Sequence, residues 1–433
     1  MICFFIFIVA DIGLALQTNY AALLVLRAVQ SSGSSATIAL SMAVVADIAT
    51  SAERGRYIGW ASCGLLMAQS FGPLLGGVLA QYLGWRSIFW FLAIFAAAFL
   101  VVFAILLPET CREVVGNGSI PARGISLSLL GYMQQRKQAT KESTQEAQNH
   151  IAVAATKKKS RWPNPIAVIR ILVDKESSLL LLYNAILFSG QMVVSASLPS
   201  TLQKLYGYDG LKVGLCYLPL GAGGLAASIS QGYVTDWNFR RQARRAGLEI
   251  RKGWQQDLRR FPLERARCQI TWPNHVVTIA AMFAYGWAVR ARGSIAGPEA
   301  VLFVLGFSTM GAFNVSNAFL IDLHRDSPAT ATAAVNLTRC LISAGGVAVI
   351  VPMINAMGEG WAFSVIAFIN VALLPVLWVI MKWGPGWRMA KLEKEDRKLE
   401  EQRRREETKQ PEVKPEDNQL DKISTTSKEE LEP

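Results

Sequence analysis

Asp11, Arg27 and Arg339 each interrupt a long apolar stretch of this sequence. An ionisable side chain at bilayer depth is costly, so each must face a cavity, a partner or the interior of a helix bundle. A carboxyl shut away from water can exchange a proton near neutrality. It can equally serve, in its neutral form, as a hydrogen-bonded tie between helices. The two arginines fit either a substrate path or a structural ion pair.

Two further clusters stand out. Gly64, Gly72-Pro73 and Gly76-Gly77 lie in one apolar stretch. Small residues let helices approach closely, and an internal proline removes one backbone bond and bends the helix. The pattern predicts a kinked, tightly packed helix at an interface. Another apolar stretch ends in Gly232-x-x-x-Asp236-x-x-x-Arg240-Arg241. Arg240 and Arg241 complement the negative end of a helix dipole, and Asp236 can pair with basic groups on a neighbouring helix. Such a charge cluster can lock one face of a helix bundle closed, and rocking of its halves would break it.

The elements that must position these residues are membrane spans. A spanning helix needs about 20 mostly apolar residues. Ten stretches qualify, approximately 2–17, 21–46, 57–82, 87–107, 179–203, 213–235, 275–291, 299–321, 331–355 and 361–382. The seventh is the shortest. The expected fold class is therefore an all-α polytopic membrane protein with about ten transmembrane helices, four plus six. The expected organisation is a four-span bundle over 1–107, a central loop over 108–178, a six-helix bundle over 179–382 and a charged tail over 383–433. Residues 391–409 read as a solvated helix with Glu393–Arg397, Glu400–Arg404 and Glu401–Arg405 at i,i+4 spacing.

Composition agrees. The 433 residues are 52% hydrophobic and only 18% charged, with a formal charge of +12. That excludes a soluble enzyme, a secreted disulfide scaffold and a nucleic-acid binder as first readings. The basic excess falls in loops. Loops with few Lys and Arg (Arg86, Lys204, Lys212, Arg290, Arg292) alternate with loops rich in them, which places both termini in the cytoplasm. The Lys157-Lys158-Lys159-Ser160-Arg161 run reads as a solvated positive-inside loop or a contact for anionic headgroups. The six cysteines show no CxxC spacing and read as packing residues, and the three histidines are scattered, so no metal site is expected. No phosphate-binding loop, HExxH or nucleophile elbow is present, so the chain is not expected to be an enzyme. A faint internal repeat aligns the stretch ending Val44-Val45-Ala46-Asp47 with that ending Phe319-Leu320-Ile321-Asp322.

At these residues the sequence resembles the major facilitator superfamily, specifically fungal drug:proton antiporters of the twelve-span, quinidine-resistance type. Arg27-x-x-Gln30-x-x-Gly33 resembles the motif of the family's fourth helix, with Ser31 where many members carry glycine. Gly64 and Gly72-Pro73-x-x-Gly76-Gly77 resemble the antiporter motif of its fifth helix, and the stretch from Gly232 to Arg241 resembles the loop motif after its eighth. The likeness runs from Met1 to about Trp383. It implies proton-coupled efflux of an amphipathic organic compound (a drug, toxin or secondary metabolite) by alternating access, with a polyamine or cation as the alternative cargo. It implies no cofactor beyond a proton gradient. The expected partners are a lipid bilayer, a small amphipathic organic substrate and protons, with no nucleic acid and a monomeric chain. The plasma membrane is the family's default address, ahead of the vacuole.

The resemblance also assigns roles. Arg27 would assist proton coupling, with Gln30, Gly33 and Arg339 in the transport machinery; Asp11 joins that set as an ionisable residue within a span, not through the resemblance. Gly64, Gly72, Pro73, Gly76 and Gly77 would shape the interface helix. Asp236, Arg240 and Arg241, with Gly232, would form a cytoplasmic latch, partnered by Asp47, Arg54 or Asp322. Asn184, Gln191, Asn314 and Asn317 would touch substrate, or else serve as hydrogen-bonding glue between helices. In the family's pattern Met1 falls at the start of the third helix, so helices one and two are expected to be missing. The alternative reading is then a truncated or non-transporting membrane protein.

Overall fold

The computed structural model describes residues 2–48, 54–106, 166–245, 247, 261–324 and 327–409. Every described element is an α-helix. In chain order they are α1 (Ile2–Leu16), α2 (Tyr20–Ile48), α3 (Arg54–Leu83), α4 (Arg86–Leu106), α5 (Ile166–Val173), α6 (Lys175–Tyr206), α7 (Gly210–Leu215), α8 (Tyr217–Arg245), α9 (Leu263–Arg290), α10 (Ala296–Leu323), α11 (Pro328–Val371) and α12 (Leu374–Lys409). A helix satisfies its backbone polar groups internally, which is what a chain in hydrocarbon must do.

Local chemistry sets several boundaries. Asp174 caps α6, accepting from the Ser177 backbone N–H and, at 2.7 Å, from its hydroxyl. Gly207 ends the same helix at φ 63°, a left-handed position that suits glycine, and its N–H donates to the Gln203 carbonyl. In α11 the helix bends at Gly358, where φ is 80°. That bend separates the ninth and tenth predicted spans.

Five helical stretches among the described residues are long and apolar enough to cross a membrane: Arg86–Leu106, Lys175–Tyr206, Gly210–Arg245, Ala296–Leu323 and the bent Pro328–Glu393. The seventh predicted span is longer than expected. The stretch expected over 275–291 is part of α9, which begins at Leu263. Its first turns carry Glu264, Arg265, Arg267 and Gln269, and these polar residues hid it from a hydropathy reading. The predicted loop at 108–178 is helical over Ile166–Val173 and again from Lys175, where α6 begins, and residues 108–165 lie outside the described residues.

Within residues Met1–Pro385, one compact unit, α1 packs on α2 and α4, α6 on α11, α8 on α10, and α9 on α10 and α11. The first four helices meet the others along two seams, α3 against α7 and α8, and α2 against α11. Two apolar clusters fill the later helices. One is built around Tyr183, Phe261 and Phe319, the other around Leu198, Tyr285 and Phe363. On α4, Phe91, Phe95 and Phe99 stack along an exposed face, as a lipid-facing surface would. In the second unit, Gly386–Pro433, the described residues are helical to Lys409.

Candidate functional site

Gly33 brings α1 and α2 together. A Cβ at that position would stand 2.9 Å from the Cys3 carbonyl oxygen and 3.1 Å from the Phe7 nitrogen. The approach joins three polar side chains in a row. Arg27 Nη1 donates to Gln30 Oε1 at 2.9 Å, and Gln30 Nε2 donates to Asp11 Oδ1 at 2.5 Å. Asp11 is fully buried, and its Oδ2 has no hydrogen-bond partner among the described residues. The Arg27 guanidinium lies over the Phe89 ring of α4, 4.9 Å from its centroid. An amide between cation and carboxyl transmits the field of the one without making a direct ion pair. That leaves Oδ2 as a place to hold a proton.

The later helices carry a second polar centre. Arg339 on α11 lies over the Phe188 ring of α6 at 4.5 Å, and Phe188 meets Phe313 of α10 at 5.2 Å between centroids. Ser316 donates to Asn184 Oδ1, and Asn314 donates to the Ser228 hydroxyl at 3.0 Å. Gln231 donates to Asn274 at 3.3 Å. Buried atoms remain unpaired among the described residues: Asn184 Nδ2, Gln191 Oε1, Gln231 Oε1, Asn317 Oδ1 and Ser343 Oγ. Thus Asn184 and Asn314 take part in helix-to-helix bonds, while Gln191 and Asn317 each hold an unsatisfied acceptor.

On α3 the glycines divide. A Cβ on Gly77 would stand 2.4 Å from the Gly210 carbonyl oxygen, and one on Gly214 would meet Leu74 Cα at 2.8 Å and the Pro73 carbonyl oxygen at 3.0 Å. Ser70 likewise abuts Gly221. Pro73 and Gly77 therefore lie on the α3–α7 seam. Around Gly64, Gly72 and Gly76 a Cβ would meet nothing within 4 Å, so these three do not make the close approach.

The charged cluster is arranged differently from its expected form. Arg267 Nη2 and Asp322 Oδ2 form a salt bridge at 2.7 Å, joining α9 to α10. Arg267 and Arg240 both lie within electrostatic reach of Asp236. Arg240 and Arg241 are exposed, and Arg241 stacks over Trp237 at 5.4 Å. Asp322 is therefore paired with Arg267 rather than with Arg240 or Arg241. A Cβ on Gly232 would meet nothing within 4 Å. The side chains of Asp47 and Arg54 lie outside the described residues.

Residues 1–347 match the sequence profile of the Major Facilitator Superfamily. The chain belongs to that superfamily. It is 41% identical over 394 residues to the MFS-type transporter phiD of a fungal species (strain ATCC 74256), covering 91% of this chain and 59% of that protein. It is 40% identical over 382 residues to the MFS-type transporter phiL of the same strain, covering 87% of this chain and 90% of that one. Among solved structures, the human organic anion transporter MFSD10 (TETRAN) superposes with a TM-score of 0.57 at 14% identity, covering 87% of this chain and 75% of the other. That last likeness speaks for the fold alone.

Membership of the superfamily makes this an integral membrane protein of a transporter family. Two of its site residues escaped the sequence reading. His275 is fully buried, with Nδ1 2.7 Å from the Tyr183 hydroxyl and Nε2 3.0 Å from the Asn370 carbonyl oxygen. It ties α9 to α6 and α11, and the signal available was a lone histidine at the edge of an apolar stretch. Arg267 escaped because it was assigned to a loop. Among the described residues no group of three potential metal ligands gathers. Cys216 and Cys268 are buried, as packing residues would be, but Cys340 is exposed.

Proposed function

We propose that this superfamily member is an alternating-access transporter that exports small amphipathic organic compounds in exchange for protons. The observation that carries the proposal is the buried Asp11 carboxyl, linked through Gln30 to Arg27. A carboxyl that takes a proton from one side must release it to the other. Substrate arriving near Arg27 would change the charge that reaches Asp11 through the Gln30 amide. The α3 seam against α7 and α8, closed by Gly77 and Pro73, supplies a surface about which two bundles rock. The cluster of Asp236, Arg267 and Asp322 joins α8, α9 and α10 within the later bundle, so it would hold the end of that bundle together as one body while the two bundles rock. In this reading both termini are cytoplasmic, the chain acts as a monomer, and the plasma membrane is its address.

The test is reconstitution of the full chain into liposomes holding a pH-sensitive dye. External aromatic acids, amides and amines are added in turn across an imposed pH gradient. Proton flux that depends on one of them, and that Asp11→Asn abolishes, is the expected result. Equal flux in wild type and Asp11→Asn would overturn the coupling role of Asp11. Absence of any substrate-dependent flux would favour the non-transporting alternative.

A further inference from the structure

Arg339 stands in the middle of the later helices with no carboxylate paired to it among the described residues. The acids of α6 and α8 to α11 keep to the outer parts of their helices. Glu176, Glu264 and Glu299 lie in first turns, Asp236 and Asp322 towards the far ends of α8 and α10, and Glu359 beside the Gly358 bend. Arg27 differs, because Gln30 connects it to Asp11. A guanidinium held in a span without a counter-charge is costly, and it is retained where something negative visits it.

Its surroundings describe the visitor. Beneath the guanidinium lies Phe188, and around Phe188 gather Met192, Phe307, Met310 and Phe313 from α6 and α10. Phe307, Phe313 and Met192 are partly exposed, so the cluster offers a flat, soft, apolar wall. One turn from Phe188 on α6, Asn184 is 1% exposed with its Nδ2 donor unpaired. One turn from Arg339 on α11, Ser343 keeps an unpaired hydroxyl. The arrangement is one bidentate cation, an aromatic wall and neutral hydrogen-bonding groups.

We propose that Arg339, the Phe188–Phe313 wall and Asn184 form a binding site for a flat organic monoanion, an aryl carboxylate or an equally delocalised enolate. The guanidinium grips the two acid oxygens as a fork. The ring system lies against Met192, Phe307 and Phe313, and the Asn184 amide donates to a further oxygen. A single cation sets the charge at one, since a second acid group would find no partner here. The proposal rests on the transporter reading for its biological sense, but binding tests it separately from transport.

The experiment is equilibrium binding to the full chain in lipid nanodiscs, with 2-naphthoate, 2-naphthamide and 2-naphthylmethylamine as matched probes. The naphthoate is expected to bind at least about tenfold tighter than the amide, and the ammonium probe weakest, because a charged guanidinium–carboxylate contact is worth one such factor or more. Arg339→Gln should erase the acid-to-amide ratio while leaving amide affinity within about threefold. Arg339→Lys, which keeps the charge and loses the fork, should retain part of the ratio, and it serves as the reading if Arg339→Gln fails to fold. Phe188→Leu should weaken acid and amide alike. Amide or ammonium binding as tight as naphthoate, or an unchanged ratio in Arg339→Gln, would overturn the proposal. Ammonium-driven proton flux without naphthoate binding would sink the anion site and leave the transporter reading. Naphthoate binding without flux would do the reverse.

Discussion

Arg267 on α9 donates to Asp322 on α10 at 2.7 Å, and both side chains are largely covered, at 13% and 17% exposed. Arg241, by contrast, is exposed and stacks on its own helix over Trp237. The two arginines should therefore respond differently to loss of their partners. Asp322→Ala leaves a partly buried guanidinium without its carboxylate, which costs about 2 kcal/mol. Trp237→Ala removes a surface cation–π contact worth about 0.5–1 kcal/mol. Thermal unfolding in detergent should show a clearly larger drop for Asp322→Ala. Equal drops would mean that Arg267–Asp322 is no more than a surface pair.

Gly77 and Gly210 meet backbone to backbone, and a Cβ on Gly77 would stand 2.4 Å from the Gly210 carbonyl oxygen. Neither backbone can move aside as a side-chain tip does. Gly77→Val should therefore destabilise the protein by about 1–3 kcal/mol through overpacking. Gly76→Val, next in sequence but open around its Cβ, should be neutral or slightly stabilising, because valine is the better helix former by roughly 0.3 kcal/mol. The two variants are to be compared by loss of monodisperse protein on heating. A Gly76→Val as damaged as Gly77→Val would show that the seam is set by something other than this contact.

The fold was largely legible because hydropathy reports membrane spans directly. Each of the ten predicted stretches overlaps a described helix. The failure at α9 shows the limit: the turns holding Glu264, Arg265 and Arg267 are polar, so the helix could not announce itself by hydropathy. Its Arg267 was then assigned to a loop, and the Asp322 pair could not be anticipated. In the site, the Arg27-x-x-Gln30 spacing put both residues on one helix face, but only the tertiary approach of α1 at Gly33 brings Asp11 to Gln30. The glycines of α3 looked equivalent in sequence, because which side of a helix meets a neighbour is decided by packing.

His275 makes two hydrogen bonds to groups on other helices, the Tyr183 hydroxyl and the Asn370 carbonyl oxygen. All three residues are fully buried. Replacing it by phenylalanine preserves the bulk but leaves the buried Tyr183 hydroxyl without its partner, at about 1–3 kcal/mol, while the Asn370 carbonyl keeps the Leu373 N–H. His275→Phe should therefore lower the unfolding temperature strongly. His275→Gln, which can still reach one partner, should recover part of the loss. Tyr183→Phe in the His275→Phe background should cost little more, because the hydroxyl it removes has already lost its partner. An additive double variant would mean that the hydrogen bond contributes nothing and the ring alone matters.

Gln30 is the residue on which the coupling reading turns, since Arg27 and Asp11 make no ion pair with each other among the described residues and meet only through its amide. Gln30→Leu keeps most of the volume and removes both hydrogen bonds. The buried Asp11 carboxyl then faces an apolar side chain, and the field of Arg27 reaches it without a bridging donor. The expected phenotype is selective. Substrate-dependent proton flux across an imposed pH gradient should fall at least about tenfold, the equivalent of roughly 1.4 kcal/mol in the coupled step. Exchange of labelled substrate between the two sides without a gradient should change much less, because that exchange needs rocking of the bundles and not a change of protonation. Gln30→Glu should not restore the flux, since a second carboxyl would compete with Asp11 for the proton and for Arg27. If Gln30→Leu slows exchange and gradient-driven flux by the same factor, the bridge is a packing contact between α1 and α2, and the proton is carried elsewhere.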